Sequence, residues 1–192
     1  MITHLFNAMA PLHHRNPGVF GVLGVSQNAL LPRPYFGIIA DGIHLHPTSI
    51  KIAYNAHPAG FILVTDAMQW VGLPDGSYEW TNGERIVKRG SKLTLEGTEK
   101  IAGSAVMLID CVENFWNWGG VGLAEALSAV TGTPAKMLGM GGVKGCLDED
   151  ADADLVVLTE EGGEGGGWKS LRVDQVWKFG SLVFDREADE IV

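Results

Sequence analysis

Two residues in this chain stand where hydrolytic chemistry would use them. His4 lies in Thr3-His4-Leu5-Phe6-Asn7-Ala8-Met9, and Asp66 lies in Val64-Thr65-Asp66-Ala67, directly after an apolar run. An imidazole and a carboxylate at the ends of apolar runs are what metal-assisted hydrolysis uses as a ligand and a proton carrier. Neutral imidazole nitrogen suits zinc and related divalent ions. Taken alone, His4 reads as a histidine hydrogen-bonded at a strand end. Asp66 has a structural alternative as the N-cap of the segment that follows, but the all-apolar strand before it favours proton transfer.

The elements that must hold these residues alternate in character. Residues 35–40 and 60–64 read as buried strands, and Pro47 opens a segment with Ile50, Ala53 and Tyr54 on one face, which predicts a crossover helix near 47–56. That makes one βαβ unit, the building block of a parallel sheet. Residues 79–96 carry short alternations around Arg89-Gly90-Ser91 and predict a hairpin-like excursion. Ser104 is expected as the N-cap of a helix over 105–118, which Gly119-Gly120 ends. A second helix is expected near 122–130, and Pro134 opens a short third one. From Lys144 onward the pattern turns to β: strands are expected at 145–147, 153–158 and 173–184, with Gly180-Ser181 as a turn. The glycine and glutamate tract 160–167 reads as a mobile loop.

Composition bounds the function. The chain has 192 residues, 46% of them hydrophobic and 19% charged, as in a soluble globular protein. A formal charge of −9 excludes a basic stripe for nucleic acid, so an anionic ligand would be held by local groups. Cys111 and Cys146 have no metal spacing and fit a reducing, cytoplasmic setting. Neither a signal peptide nor an 18-residue apolar run is seen, so no membrane partner is expected. Gly139-Met140-Gly141-Gly142 lacks the context and ending of a phosphate loop. Trp116 and Trp118, two apart on a helix, are assigned to packing.

The His4 and Asp66 segments together resemble the N-acetylglucosamine-6-phosphate deacetylases of the amidohydrolase superfamily, and the resemblance runs to the C-terminus. It implies an α/β fold: a partial (β/α) barrel of the metal-dependent hydrolase type over residues 1–143, and a C-terminal β-sandwich element over 144–192. A whole barrel takes ~250 residues, so the resemblance implies that this chain is the later half, with the family's glutamate and second histidine ligands upstream. It further implies His4 as a ligand of one divalent metal ion, zinc, and Asp66 as the catalytic acid and base. Substrate binding falls to His44, to Asn7, Ala8 and Arg15 as a phosphate grip, and to Gly103 and Ser104 as backbone lining a sugar pocket. Here Ile101-Ala102 stands where the family has Leu-Ser. Because the family's arginine reaches a neighbouring subunit, Arg15 implies a homodimer.

Other residues keep two readings. Asp41 either braces His44 or caps its own loop, and Arg15 alone would pass for a surface arginine in a turn. His13 and His14 are expected in solvent, and His46 and His57 in structural roles. Three functions follow: part of an active deacetylase of N-acetylglucosamine 6-phosphate, an inactive chain that pairs with a relative, or another amidohydrolase acting on a cyclic amide or a galactosamine phosphate.

Overall fold

The structure is a computed structural model that describes residues 1–26 and 32–189. Its first sheet is a parallel pair, β1 (Phe36–Ile39) and β2 (Phe61–Val64), with Phe36 opposite Phe61 and Ile39 opposite Val64. Every β1 residue is buried, as expected for a parallel strand covered on both faces. The crossover is helix α1 (Pro47–Ala56), which starts with Pro47 and is capped by His46 Nδ1 accepting from the Thr48 N–H at 3.2 Å.

The N-terminal residues extend this sheet. Ile2 bridges Phe36 in parallel, and Leu5 N–H donates to the Gly37 carbonyl at 2.8 Å. On the far side Ala67 bridges Ser104 in parallel, with the Met68 N–H on the Ser104 carbonyl at 2.8 Å. Four segments therefore run side by side in one direction: 2–5, β1, β2 with its extension, and the end of the segment 101–104.

Strand β6 (Ile101–Ser104) belongs as well to an antiparallel meander with β3 (Gly76–Glu79), β4 (Arg85–Arg89) and β5 (Lys92–Leu95). This fuller structure replaces the expected hairpin. It has its own small core of Trp70, Ile86, Leu93 and Ala105.

Helix α2 (Leu108–Gly119) packs on the parallel pair. Phe115 stacks on Phe61 with ring centroids 4.5 Å apart, and Tyr54 of α1 meets both rings edge-on at 5.0 and 5.3 Å. Such aromatic pairs add roughly 0.5–1.5 kcal/mol beyond their burial. Cys111 lies in the same core, its Sγ 3.8 Å from the Val64 carbonyl, and burial pushes the thiol up to about 12. The helix ends at Gly120 with φ 68. Two short helices follow, α3 (Leu123–Ser128) and α4 (Gly132–Met137).

Three sequence expectations fail here in whole or in part. Ser104 is not an N-cap: it closes β6, and its Oγ accepts from the Val106 N–H two residues on at 3.1 Å. The helix begins at Leu108, where the Asp110 carboxylate reaches back to the Met107 N–H at 3.1 Å. Ser-to-backbone bonds of this kind compete with helix starts. Residues 145–147 form no strand; Leu147 is 86% exposed, and the chain there turns on the Met140 carbonyl. The 160–167 tract is also partly regular, because β7 (Leu155–Gly162) runs through Glu161, whose carboxylate meets Arg172 at 2.9 Å.

The last sheet is antiparallel β7-β8-β9, with β8 (Lys169–Lys178) central and β9 (Ser181–Asp185) at the edge. A short helix, α5 (Arg186–Asp189), follows. The sheet is fastened to α2 by polar bonds. Asn117 Nδ2 donates to the Lys169 carbonyl at 2.8 Å while its Oδ1 accepts from the Lys169 N–H at 3.0 Å, and Glu113 Oε1 accepts from the Leu171 N–H at 2.6 Å. At the hairpin end Asp154 bonds Lys144 and Lys178 and accepts from the Phe179 N–H. Among the described residues no helix is long and apolar enough to cross a membrane.

Replacing Asn117 with Ala removes both bonds to β8 and leaves the two Lys169 backbone groups unpaired, at a cost of about 1–3 kcal/mol. The expected result is a lower urea midpoint with faster amide exchange at Lys169 and Leu171. Unchanged exchange at those amides would mean that the sheet is held by its apolar contacts alone.

Candidate active site

The chemically active residues gather at the C-terminal ends of the parallel segments. Asp41 and Asp66 each lie two residues beyond the paired Ile39 and Val64, so a shared register brings two loops of carboxylates to one end of the sheet. His4 lies two residues beyond Ile2, which bridges Phe36. This is the end at which strand-helix units place their catalytic loops. A cleft of about 400 Å³ lined by Tyr35, Tyr54, Phe61, Glu125 and Lys136 lies at the opposite end of the same strands, away from these residues.

Asp41 and His44 form the best-defined contact. Asp41 Oδ1 accepts from the backbone N–H groups of Ile43 and His44, both at 2.9 Å, and Oδ2 stands 2.6 Å from His44 Nδ1. The Asp41 side chain is 0% exposed and that of His44 13%. Burial acts to raise the Asp41 pKa, but the bonds from the His44 ring and the two N–H groups outweigh it and hold the carboxyl below its usual range. The His44 ring is shifted up, first by its bond to Asp41, against desolvation, and further by the charges of Asp41 and Asp66. His44 and Asp66 are therefore electrostatic neighbours across the gap between β1 and β2. The sequence left Asp41 divided between two roles, and it performs both.

The loop is built for this contact. Gly42 has φ +70, and a Cβ there would come 2.9 Å from Trp118 Cη2. Asn114 of α2 donates to the Ala40 carbonyl at 2.8 Å. Helix α2 thus holds the loop at both ends.

Backbone strain marks the other residues. Seven non-glycine residues among those described have positive φ, and four of them are His4 (33°), Phe6 (76°), Ala8 (51°) and Asp66 (46°). Such angles cost of order 1–3 kcal/mol each and cluster at functional sites. Of these, His and Asp adopt this region more readily than most residues, but Phe6 and Ala8 carry no sequence signal for it.

His4 Nδ1 is buried and without a hydrogen-bond partner. An unpaired buried nitrogen costs about 1–3 kcal/mol, so it fits a group that bonds to it, and a metal ion is one. Among the described residues no three His, Cys, Asp or Glu side chains converge to hold an ion. The described residues offer one candidate nitrogen, His4 Nδ1, and not a shell.

The remaining residues are placed as follows. Asn7 folds back, its backbone N–H and Nδ2 both donating to the His4 carbonyl at 2.9 and 3.3 Å. Ala8 is exposed. Arg15 is exposed in a tight turn between His13 and Asn16, and the exposed rings of His13 and His14 lie 4.3 Å apart. Gly103 has φ +124, and Met68 occupies the space a side chain would need. Ser104, expected to line the ligand, is 0% exposed with its hydroxyl bonded to Val106 and its carbonyl to the Met68 N–H, so both groups are used within the fold. His57 is buried at the end of α1, a structural position as the sequence indicated.

Comparison with known proteins places these features in context. The amidohydrolase family model matches residues 3–183. A mouse protein named N-acetylglucosamine-6-phosphate deacetylase is 40% identical over 187 residues, which are 97% of this chain and 43% of the relative. The crystal structure of the deacetylase of that name from Thermotoga maritima superposes with a TM-score of 0.77 at 30% identity, covering 96% of this chain and 46% of that one. An aspartate-to-alanine mutant of the Mycobacterium smegmatis deacetylase, in complex with N-acetyl-D-glucosamine-6-phosphate, superposes with a TM-score of 0.74 at 29% identity, covering 94% and 44%. The chain thus spans less than half the length of these relatives.

The Asp41–His44 contact has a definite pH window. Asp41 is shifted below 3.8, so its contribution to stability is present above that value and is lost as pH falls through its folded pKa. His44 is shifted above 6.5, so its contribution is present below 6.5 and is lost as pH rises through its folded pKa. The stability gap between the native chain and Asp41→Ala, read from urea midpoints, is expected to be widest between pH 3.8 and 6.5 and to narrow on both sides. A gap independent of pH would mean that the ionised Asp41 carboxylate adds nothing to the stability of the fold.

Proposed function

The chain belongs to the amidohydrolase family, and from that premise we propose that it forms the later part of a metal-dependent deacetylase acting on N-acetylglucosamine 6-phosphate. The observation that carries the reading is the common placement of His4, Asp41 with His44, and Asp66 at one end of a parallel sheet. The amidohydrolase family is metal-dependent. In this reading segments 2–5, β1, β2 and the end of β6 are an arc of a (β/α) barrel over residues 1–143, and β7–β9 are part of a β-sandwich over 144–192.

The chemistry assigned to this chain is proton handling and binding. Asp66, exposed at the end of β2, takes a proton from the water that attacks the acetamide carbon and returns it to the sugar nitrogen as the C–N bond breaks. Acetate and glucosamine 6-phosphate leave. A positioned acid and base of this kind contributes ~100- to 10,000-fold. His44, charged below its raised pKa, faces the acetyl or sugar oxygen and opposes the negative charge that develops there. His4 serves as one ligand of a divalent ion, zinc by its preference for imidazole; when bound, the ion supplies Lewis-acid polarisation and lowers the pKa of water. The other ligands come from polypeptide outside this sequence.

Substrate recognition falls to the loop after His4 and to the β6 end. Asn7 and Ala8 offer backbone groups, and Arg15, at the tip of its turn, reaches a phosphate bidentately. Its exposure suits a phosphate held in a second copy of the chain, which makes the assembly a homodimer. Gly103 contributes backbone to the sugar pocket, and the buried Ser104 holds that turn in place.

Acetate release is the measurement, made with the purified chain and with the chain co-expressed with the portion of the mouse relative that it does not match. Activity in the combined preparation is expected to fall at least 100-fold in Asp66→Asn, and Arg15→Ala is expected to raise KM for the phosphorylated sugar but not for N-acetylglucosamine. Equal turnover of the two sugars by the native assembly would defeat the substrate assignment.

A further inference from the structure

The bonds around Asp41 contain information about a proton that no hydrogen position needs to supply. Its Oδ1 receives two backbone N–H groups, from Ile43 and His44, so this oxygen can only be an acceptor. Its Oδ2 faces His44 Nδ1 at 2.6 Å. An ionised carboxylate can only accept here, which leaves Nδ1 as the donor. We propose that Asp41 is a positioning residue that dictates the tautomer of His44, keeping the proton on Nδ1 and leaving Nε2 as the nitrogen whose protonation changes with pH. The claim about the tautomer stands on geometry alone; that Nε2 is the substrate-facing nitrogen rests on the function proposed above.

The surroundings make the contact rigid enough to enforce this. The Asp41 side chain is fully buried. Gly42 is pressed against Trp118, and Ala40 is tied to Asn114, so the loop cannot easily turn the carboxylate away. The titratable groups acting on the pair are Asp66 from the end of β2, whose charge favours the protonated ring, and Cys111 of α2, whose thiol stays neutral at physiological pH because burial lifts it to about 12.

An unusual consequence separates this from simple loop bracing. In Asp41→Asn the two backbone N–H groups still demand an oxygen at the Oδ1 position, because an amide NH₂ there would oppose two donors. The NH₂ is therefore forced to face His44 Nδ1, which must now accept, and the ring proton of the neutral imidazole moves to Nε2. The same inversion is what asparagine produces at the aspartate of a serine-protease triad. Native His44 loses its Nε2 proton as pH rises through its pKa; the variant keeps it.

The test is ¹⁵N NMR of the histidine rings in the whole chain, with His44 assigned by its loss in His44→Gln. Above its titration, native His44 is expected to show a pyrrole-type Nδ1 and a pyridine-type Nε2. Asp41→Asn is expected to show the reverse, with its titration midpoint moved down toward 6.5 and with the Ile43 and His44 amides still protected from exchange. A native neutral ring protonated on Nε2 overturns the proposal without need of any variant, and so does a folded Asp41→Asn that keeps the native tautomer. Because the readout uses no substrate, a failure of the deacetylase assignment leaves this result standing, and the reverse holds too.

Discussion

Helix α2 carries bonds in three directions at once. Phe115 stacks on Phe61 and so fixes the helix beneath the parallel strands. Asn114 ties the end of β1, and Trp118 fills the space beside Gly42. Glu113 and Asn117 hold the backbone of β8. Glu113 and Asn117 are four apart, as are Asn114 and Trp118, so each pair shares one face of the helix, and a single rigid rod sets the strand ends, the Asp41–His44 loop and the last sheet relative to one another. Because Phe115 also packs directly on Phe61, a displacement of α2 would move the loop and the parallel strands together.

Against that rigid frame, four of the seven strained non-glycine residues among those described lie at or just beyond the ends of the parallel segments. His4, Phe6, Ala8 and Asp66 hold left-handed backbone angles that cost energy, and His4 Nδ1 lies buried without a partner. Both features are expensive in a chain whose net stability is small. Their concentration around the proposed catalytic residues, on segments otherwise well paired, is consistent with a site that gains its missing bonds from an ion and a substrate.

Much of the frame could be read from the residues. Buried parallel strands are apolar throughout, so β1 and β2 stood out, and Pro47 placed the start of α1 because its ring fits only a first turn. Ser104 misled because a hydroxyl can cap a helix or close a turn with equal ease, and the choice depended on Asp110 six residues on. Residues 145–147 look like a strand in composition but have no neighbour to pair with. The site was legible as positions more than as contacts: spacing could mark Asp41 and His44, but only coordinates could show one carboxylate serving two backbone groups and a ring together. The positive φ angles of Phe6 and Ala8 left no trace, because those residue types do not favour the left-handed region.

The deep placement of Cys111 has a practical outcome. Its sulfur lies in the core with its thiolate form strongly disfavoured, whereas Cys146 is only partly covered. An alkylating reagent, which needs the thiolate and access to it, should therefore mark one sulfur on the intact chain and two once the core opens. The pair of cysteines makes the polypeptide its own gauge of unfolding, readable by mass.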